Sequence, residues 1–249
     1  MDRFIEIWQD YWQAFLFWDG FEVSGLAVTL WILVVSLLFG FALSVLLAVG
    51  RVSKNLFIKG PIWLFTYVFR GTPFYIQLLL IYSGLMSLEV VRGTPLLSAF
   101  FINGYYCAIL ALTLNTTAYT TEMFAGFIRT TNKGEIEAAR AYGMSKWQLY
   151  TRIIIPSMLR RSIPAYSNEV ILMLHTTSLA FAATVPDILK VARDAYSATY
   201  QAFIAYGIAA LIYMVVAFVI VALFRKIEKR ALAYLVLSSK DEKQVVNNV

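Results

Sequence analysis

Three long stretches without a charged residue constrain the fold of this 249-residue chain most strongly; they cover residues 23–50, 93–121 and 195–224. Because about 20 apolar residues in a helix cross the hydrocarbon core of a bilayer, each stretch can contain a membrane span. The composition agrees, since 60% of the residues are hydrophobic and 14% are charged. In soluble domains, about 45–50% of the residues are apolar and about 25% are charged. The sequence therefore predicts an all-α integral membrane protein with a single membrane domain.

We predict five transmembrane helices, at about 23–50, 61–82, 104–127, 163–185 and 195–224. The loops that would lie on one side of the membrane, with the N-terminal segment, contain four Lys and Arg residues, and the loops and tail on the other side contain sixteen. Lys and Arg accumulate on the cytoplasmic side of membrane proteins. The count therefore predicts an N-terminus outside and a C-terminus in the cytoplasm.

The segments at the two ends of the chain differ from the membrane domain, predicted at 23–225. Residues 1–22 carry aromatic and aliphatic side chains at helical spacing and five acidic residues against one Arg, which is unlike a cleaved signal peptide. We predict an interfacial helix there, lying on the membrane surface or packed against neighbouring spans. Residues 226–249 are predicted to form a cytoplasmic tail.

The largest predicted cytoplasmic loop, 129–161, contains a spaced motif. Its pattern is Glu-Ala-Ala, three residues, Gly, nine residues, Ile-x-Ile-Pro. The motif residues are Glu137, Ala138, Ala139, Gly143, Ile153, Ile155 and Pro156. Gly suits a helix C-terminus, and Ser145 with Gln148 forms the pattern of a capping box that starts a second helix. Pro156 is predicted to stop or kink that helix.

This motif resembles the EAA loop of ABC-importer permeases, which usually has Leu at the position of Ile155. The segments 69–73, 168–169 and 177–179 are similar to the polar-amino-acid branch of that family, which includes permeases for histidine, lysine, arginine and ornithine. The resemblance implies a type I ABC-importer transmembrane domain in the bacterial inner membrane. It also implies that Glu137, Ala138, Ala139, Gly143, Ile153 and Pro156 belong to the ATPase-coupling loop.

The resemblance further implies a set of partners. These are a homologous permease subunit, two ATPase subunits that hold ATP and magnesium, a periplasmic binding protein and an amino-acid substrate. Membrane lipids would surround the complex, and no nucleic acid or metal is expected. The chain has no G-x-x-x-x-G-K-[ST] sequence, so it should not bind ATP through a P-loop or act as an enzyme.

Ionisable and polar residues inside predicted spans are candidates for substrate contacts, because such residues are costly in lipid and usually face a polar cavity. The candidates are Glu169, Asn115, Tyr119, Arg70 and His175. Glu169 could bind a cationic side chain or α-ammonium group, or brace the bundle in an ion pair. Arg70 could bind a carboxylate, although the adjacent Gly71 and Pro73 favour a role in which it satisfies carbonyls at a broken helix. Asn115 and Tyr119 could instead form interhelical hydrogen bonds.

Other residues narrow the alternatives. Glu122 is predicted to pair with a basic loop residue. The single Cys and single His exclude an internal disulfide and a His-rich metal site. Two other functions stay open at this point, an ion-coupled secondary transporter and a non-transporting membrane scaffold. The first would show internal repeats, and the second would not need polar residues in its spans.

Overall fold

The computed structural model describes residues 2–232, which fold into helices joined by short turns. The α-helices are α1 (Asp2–Leu16), α2 (Gly25–Arg51), α3 (Leu56–Gly71), α4 (Phe74–Leu79), α5 (Glu89–Gly93), α6 (Pro95–Phe101), α7 (Gly104–Arg129), α8 (Lys133–Ala141), α9 (Lys146–Leu149), α10 (Ile155–Thr177), α11 (Ile188–Thr199) and α12 (Ala202–Ala231). Single π or 3-10 turns lie at Leu80–Gly84, Leu85–Ser87, Tyr150–Ile154 and Ala180–Ala183.

Helix α7 forms the centre of the bundle and packs most extensively against α2. The two helices approach closely at Gly40, where a Cβ atom would lie 2.3 Å from Cγ2 of Thr116. Nearby, the Ser36 hydroxyl donates a hydrogen bond to the Ile109 carbonyl at 3.3 Å. Small and hydroxyl side chains let helix backbones approach inside a membrane, where packing replaces the hydrophobic effect.

Length and apolar composition identify α2 and α12 as single helices that can cross a membrane. Two pairs of helical segments can also cross a membrane if each bent pair is counted as one span. The first pair is α3 with the helical turns 74–87, and the second is α6 with α7. The bends are 107° and 82°. The described residues thus provide two clear spans and up to four. Helix α10, which covers most of the fourth predicted span, carries Arg160, Arg161 and Glu169 and does not qualify by composition.

The predicted span at 61–82 is broken rather than continuous. Its helix begins at Leu56, where Asn55 caps the helix by accepting a hydrogen bond from the Phe57 amide at 2.9 Å. Pro61 therefore lies inside α3 and does not open it. The chain leaves the helix after Gly71 and re-enters one at Phe74.

The last two predicted spans have different boundaries from those expected. Helix α10 starts eight residues before 163 and ends at Thr177. The stretch 195–224 is divided between α11 and α12, because Tyr200 adopts a left-handed backbone with φ of 57°. Helix α12 continues to Ala231, so the first residues of the predicted tail are helical, and the tail from 233 lies outside the described residues.

Helix α1 packs against α11, α12 and α2, which is the second of the two arrangements predicted for it. Phe15 is fully buried and Ile7 is 4% exposed. The Ser24 hydroxyl also donates a hydrogen bond to the Ala14 carbonyl at 2.9 Å, which fixes the end of α1 to the start of α2. A position of α1 at the membrane surface stays a prediction.

Candidate functional site

A cavity of about 650 Å³ lies between the α3–α4 break, α7 and α10. All five residues predicted to contact substrate line it, although they come from three separate parts of the chain. They are Arg70, Asn115, Tyr119, Glu169 and His175. The structure thus brings the predicted residues together, and their contact with substrate stays a prediction.

The break between α3 and α4 is stabilised by Gln77. Its side-chain Nε2 donates hydrogen bonds to the carbonyl oxygens of Phe69 at 2.7 Å and Thr72 at 3.0 Å, and to the Thr72 hydroxyl at 2.8 Å. A broken helix inside a membrane leaves carbonyls without intrahelical partners, and these must be satisfied by protein groups. Gln77 is 6% exposed and provides this satisfaction from within the same segment.

Gln77 also joins the break to α7. Its Oε1 accepts a hydrogen bond from Nδ2 of Asn115 at 3.1 Å, and Asn115 is 9% exposed. Asn115 therefore combines two roles that were alternatives for it, an interhelical hydrogen bond and a place in the cavity wall. Gln77 follows the family segment 69–73 by four residues, but nothing in the sequence shows which groups it bonds.

Arg70 does not bond the carbonyls of the break. The role favoured for it from the sequence, satisfying the carbonyls of a broken helix, is therefore wrong. Its guanidinium carbon lies 5.5 Å from the centre of the Tyr119 ring, and the Tyr119 hydroxyl donates a hydrogen bond to the Arg70 carbonyl at 3.4 Å. Among residues 4–232, the Arg70 side chain donates no hydrogen bond and forms no ion pair within 4.0 Å. The aromatic ring orients the guanidinium through a cation–π contact and leaves its donors open to the cavity.

Glu169 and His175 approach the cavity from α10. Glu169 is half-buried, and its carboxylate forms no hydrogen bond or ion pair with another described residue. The ion pair that would give Glu169 a bracing role is therefore not formed within the described part of the chain. His175 is exposed and also lines a second, more apolar cavity of about 500 Å³ between α10 and α12.

Glu122 lies outside the cavity lining and pairs with Arg51 at the end of α2, which confirms the prediction of a basic partner from a loop flank. The side chains of the pair are 16% and 11% exposed, and the Thr66 hydroxyl donates to the same carboxylate oxygen at 2.7 Å. The pair joins α2, α3 and α7. Glu122 therefore has a structural role, which separates it from Glu169.

The charges of the cavity suit a zwitterion. Arg70 supplies a cation on one wall and Glu169 an anion on another, with Asn115 and Tyr119 between them along α7. A guanidinium can hold a carboxylate through two parallel hydrogen bonds, and a carboxylate can accept from an ammonium group. An amino acid presents both groups to such a site.

The predicted coupling loop is a helix–turn–helix unit. Gly143 follows α8 with φ of +73°, its amide donates to the Arg140 carbonyl at 2.9 Å, and the Met144 amide donates to the Ala139 carbonyl at 3.1 Å. These two bonds define a Schellman motif, which glycine adopts without strain. The predicted helix end at Gly143 is confirmed.

The second short helix begins as predicted and continues further than predicted. Ser145 and Gln148 form a complete capping box at the start of α9. Pro156 does not end the helix but lies in the first turn of α10, directly after the π turn that contains Ile153. The backbone stays helical from α9 through this π turn into α10, so Pro156 lies within one continuous helical segment.

The outer surface of this unit carries aromatic residues that the sequence interpretation did not single out. Tyr142 is 87% exposed and Trp147 is 77% exposed, beside the exposed Glu137 and Ala138. Ala139 instead faces inward and is 3% exposed. Large apolar side chains on a polar loop would have been the available signal, since exposed apolar groups rimmed by polar ones mark interaction sites.

Comparison with known families decides the class of the protein. Residues 40–232 match the family described as the binding-protein-dependent transport system inner membrane component. The chain belongs to this family. It is therefore a membrane permease subunit of a binding-protein-dependent transport system, and its family resemblance predicted from residues 137–156 is confirmed.

Relatives of the permease include a histidine/lysine/arginine/ornithine transport system permease protein, HisM, of Salmonella typhimurium. It is 61% identical over 236 residues, which cover 95% of this chain and 100% of the relative. The HisM protein of Escherichia coli K12 is 58% identical over 94% of this chain and 99% of its own length. These permeases are transport subunits and not enzymes.

A solved amino acid ABC transporter containing histidines has a similar structure. Its TM-score to the permease is 0.72 at 30% sequence identity, covering 82% of this chain and 91% of the other. An inward-facing MetNI methionine ABC transporter has a TM-score of 0.66 at 19% identity, covering 93% and 99%. The second likeness concerns the fold, which is that of type I importer permeases.

Proposed function

We propose that the permease forms the transmembrane pathway of an ATP-driven importer for L-histidine and the basic amino acids lysine, arginine and ornithine. One observation carries the proposal: a single cavity holds the carboxylate of Glu169 and the guanidinium of Arg70, and neither group is paired with a side chain of residues 4–232. The 61% identical relative has these four amino acids in its name, which supports the same substrate class here.

Within the cavity, Arg70 binds the substrate carboxylate, and Glu169 binds the cationic side chain. Asn115 and Tyr119 contact the substrate between these charges, and His175 borders it on α10. The opposite signs of the two charged groups fix the direction in which an amino acid enters. The apolar lining residues, such as Leu172 and Met173, surround the aliphatic part of the substrate.

In the membrane the permease has five spans, with its N-terminus outside and its C-terminus in the cytoplasm. The broken α3–α4 segment and α10 provide the spans that apolar composition alone does not assign. The excess of Lys and Arg in the loops on one side supports this orientation. Single cysteines test it: with Cys107 replaced, Asp19→Cys should react with an impermeant thiol reagent from outside, and Lys133→Cys only after lysis.

The permease works in a larger assembly. It pairs with a homologous permease subunit, receives substrate from a periplasmic binding protein and rests on two ATPase subunits. Helices α8 and α9, with Tyr142 and Trp147 at their surface, dock on an ATPase. Closure of the ATPases around ATP moves this docked unit and switches the cavity between inward and outward access, a rigid-body form of gating.

The decisive experiment is reconstitution of the complex in proteoliposomes with the binding protein. We expect uptake of histidine, lysine, arginine and ornithine that requires ATP, and copurification of an ATPase with a tagged permease. Uptake driven by an ion gradient without ATP would contradict the proposal and indicate a secondary transporter. An assembly that takes up none of these amino acids would contradict the substrate class.

A further inference from the structure

Arg161 joins the two ends of the coupling loop. Its Nη2 donates to the Phe127 carbonyl at 2.7 Å and to the Thr131 hydroxyl at 3.1 Å. Its Nη1 donates to the carbonyl and hydroxyl of Thr130 at 3.1 and 3.2 Å. Its guanidinium carbon also lies 5.9 Å from the centre of the Phe127 ring. A side chain from α10 thus holds the last turn of α7.

The chemistry of a helix end explains why an arginine suits this place. The last carbonyls of a helix have no intrahelical partners and carry a partial negative charge. A guanidinium has a planar fork of donors and stays charged, so it can serve two carbonyls and two hydroxyls at once. The ammonium group of a lysine is a point charge and lacks this fork.

The position of this contact in the chain gives it a mechanical consequence. Helix α7 ends at Arg129, and the docking helices α8 and α9 follow before the chain returns in α10. The Arg161 contact therefore closes the 31-residue loop from Thr130 at its base. From there α7 leads to Asn115 and Tyr119, and α10 leads to Glu169, which is two helical turns, or about 12 Å, beyond Arg161.

We propose that Arg161 is a positioning residue that makes the ends of α7 and α10 move as one unit when the ATPase moves the docking helices. The clamp, as we call the contacts of Arg161 with Phe127, Thr130 and Thr131, transmits that motion to two walls of the cavity together. Without the clamp, the docking helices move α7 and α10 separately, and fewer amino acids are transported for each ATP hydrolysed. This inference rests on the proposed function, because it needs an ATPase partner.

The test measures amino-acid uptake per ATP hydrolysed in proteoliposomes, together with the amount of ATPase that copurifies. Arg161→Ala should retain the ATPase and lower uptake per ATP by about fivefold or more, the range of typical coupling between distant sites. Arg161→Lys should lie between Arg161→Ala and the unmodified permease, because it keeps the charge and loses the fork. Arg160→Ala is the matched control, since Arg160 is exposed and donates no hydrogen bond to residues 4–232.

The outcomes separate the clamp from general stability and from the proposed function. Equal uptake per ATP in Arg161→Ala and Arg160→Ala would overturn the inference. If the complex with Arg161→Ala fails to assemble, Arg161→Lys and Thr131→Val test the inference instead. Unchanged uptake per ATP hydrolysed in both of these variants would overturn it. Failure of the proposed function appears in the unmodified complex, through absent ATP-dependent uptake, whereas failure of the clamp appears only in the variants.

Discussion

Replacing Glu169 with Gln tests whether this carboxylate contacts the substrate or braces the bundle. The change removes the charge and keeps the shape of the side chain. Because the carboxylate of Glu169 forms no hydrogen bond or ion pair with another described residue, its neutralisation leaves none of those residues without a partner. The fold should therefore be unaffected, and the full effect should fall on transport.

The expected loss follows from the contact proposed for the substrate cation. A hydrogen bond to a charged group contributes about 1.5–3 kcal/mol. At about 1.4 kcal/mol for each factor of ten, lysine and arginine uptake below saturation should fall about 12- to 140-fold. Histidine should lose less at pH 8, because its side chain, with a usual pKa of about 6.5, is then neutral.

The assay is uptake of labelled lysine, arginine and histidine into proteoliposomes that contain the assembled complex. Glu169→Asp is the control, because it keeps the charge and should retain more lysine uptake than Glu169→Gln. Unchanged lysine and arginine uptake in Glu169→Gln would refute the contact. Equal losses for lysine and neutral histidine would refute a contact with the side-chain cation, and loss of the copurifying ATPase would indicate bracing.

Three other changes test the parts of the structure around the cavity and the dock. Gly143→Asp should lower ATPase copurification and transport, because it puts a charge at the dock and a side chain on a left-handed backbone, which costs about 1–2 kcal/mol. Gln77→Leu should lower the thermal unfolding midpoint of the purified complex, because each carbonyl left unsatisfied at the break costs about 1–3 kcal/mol. Glu122→Gln should destabilise the complex by about 1.5–3 kcal/mol, because it removes the charge that accepts the hydrogen bond of the partly buried Arg51.

Each of these predictions has a control and an outcome that contradicts it. Gly143→Asn is the control for Gly143→Asp, because Asn can adopt the same backbone region and carries no charge. Normal transport in Gly143→Asp would refute the docking role. An equal loss of transport in the Asp and Asn variants would assign the effect to backbone strain. Asn115→Ala leaves the donors of Gln77 in place and should cost less stability than Gln77→Leu. The double variant Arg51→Met with Glu122→Leu should restore stability, because it removes both charges. If the double variant is less stable than Glu122→Gln, the argument that the two charges pair is contradicted.

The parts of the structure that the sequence predicted are those set by local signals. The helix end at Gly143 and the capping box of Ser145 depend on residues within five positions of each other. The residues of one short segment therefore determine the geometry of both features. The charge-free stretches predicted spans for a similar reason, since a bilayer imposes a fixed length on any helix that crosses it.

The errors arose where the partners of a group lie elsewhere in space. Arg70 is next to the broken helix in sequence, but its donors point into the cavity, and Gln77 satisfies the break from the following turn. Pro156 does not stop the helix, because α10 continues from Ile155 after a π turn, and the predicted alternative of a kink stays a prediction. The contact of Arg161 with Thr130 had no local signal, because the two residues are 31 positions apart in the sequence.

Two kinds of wall surround the cavity, and they differ in how motion can reach them. Helix α10 is unbroken from Ile155 to Thr177, about 35 Å at 1.5 Å per residue, so a displacement at the dock reaches Glu169 directly. The α3–α4 wall, which carries Arg70, is broken and has no such strut. Side-chain contacts connect it to α7 instead: the hydrogen bond from Asn115 to Gln77 and the contacts of Tyr119 with Arg70. Under the proposed coupling, Glu169 moves with the unit formed by α7 and α10. If the α3–α4 wall lags behind this unit, the distance between Arg70 and Glu169 changes, and we expect the cavity to release an amino acid in this way.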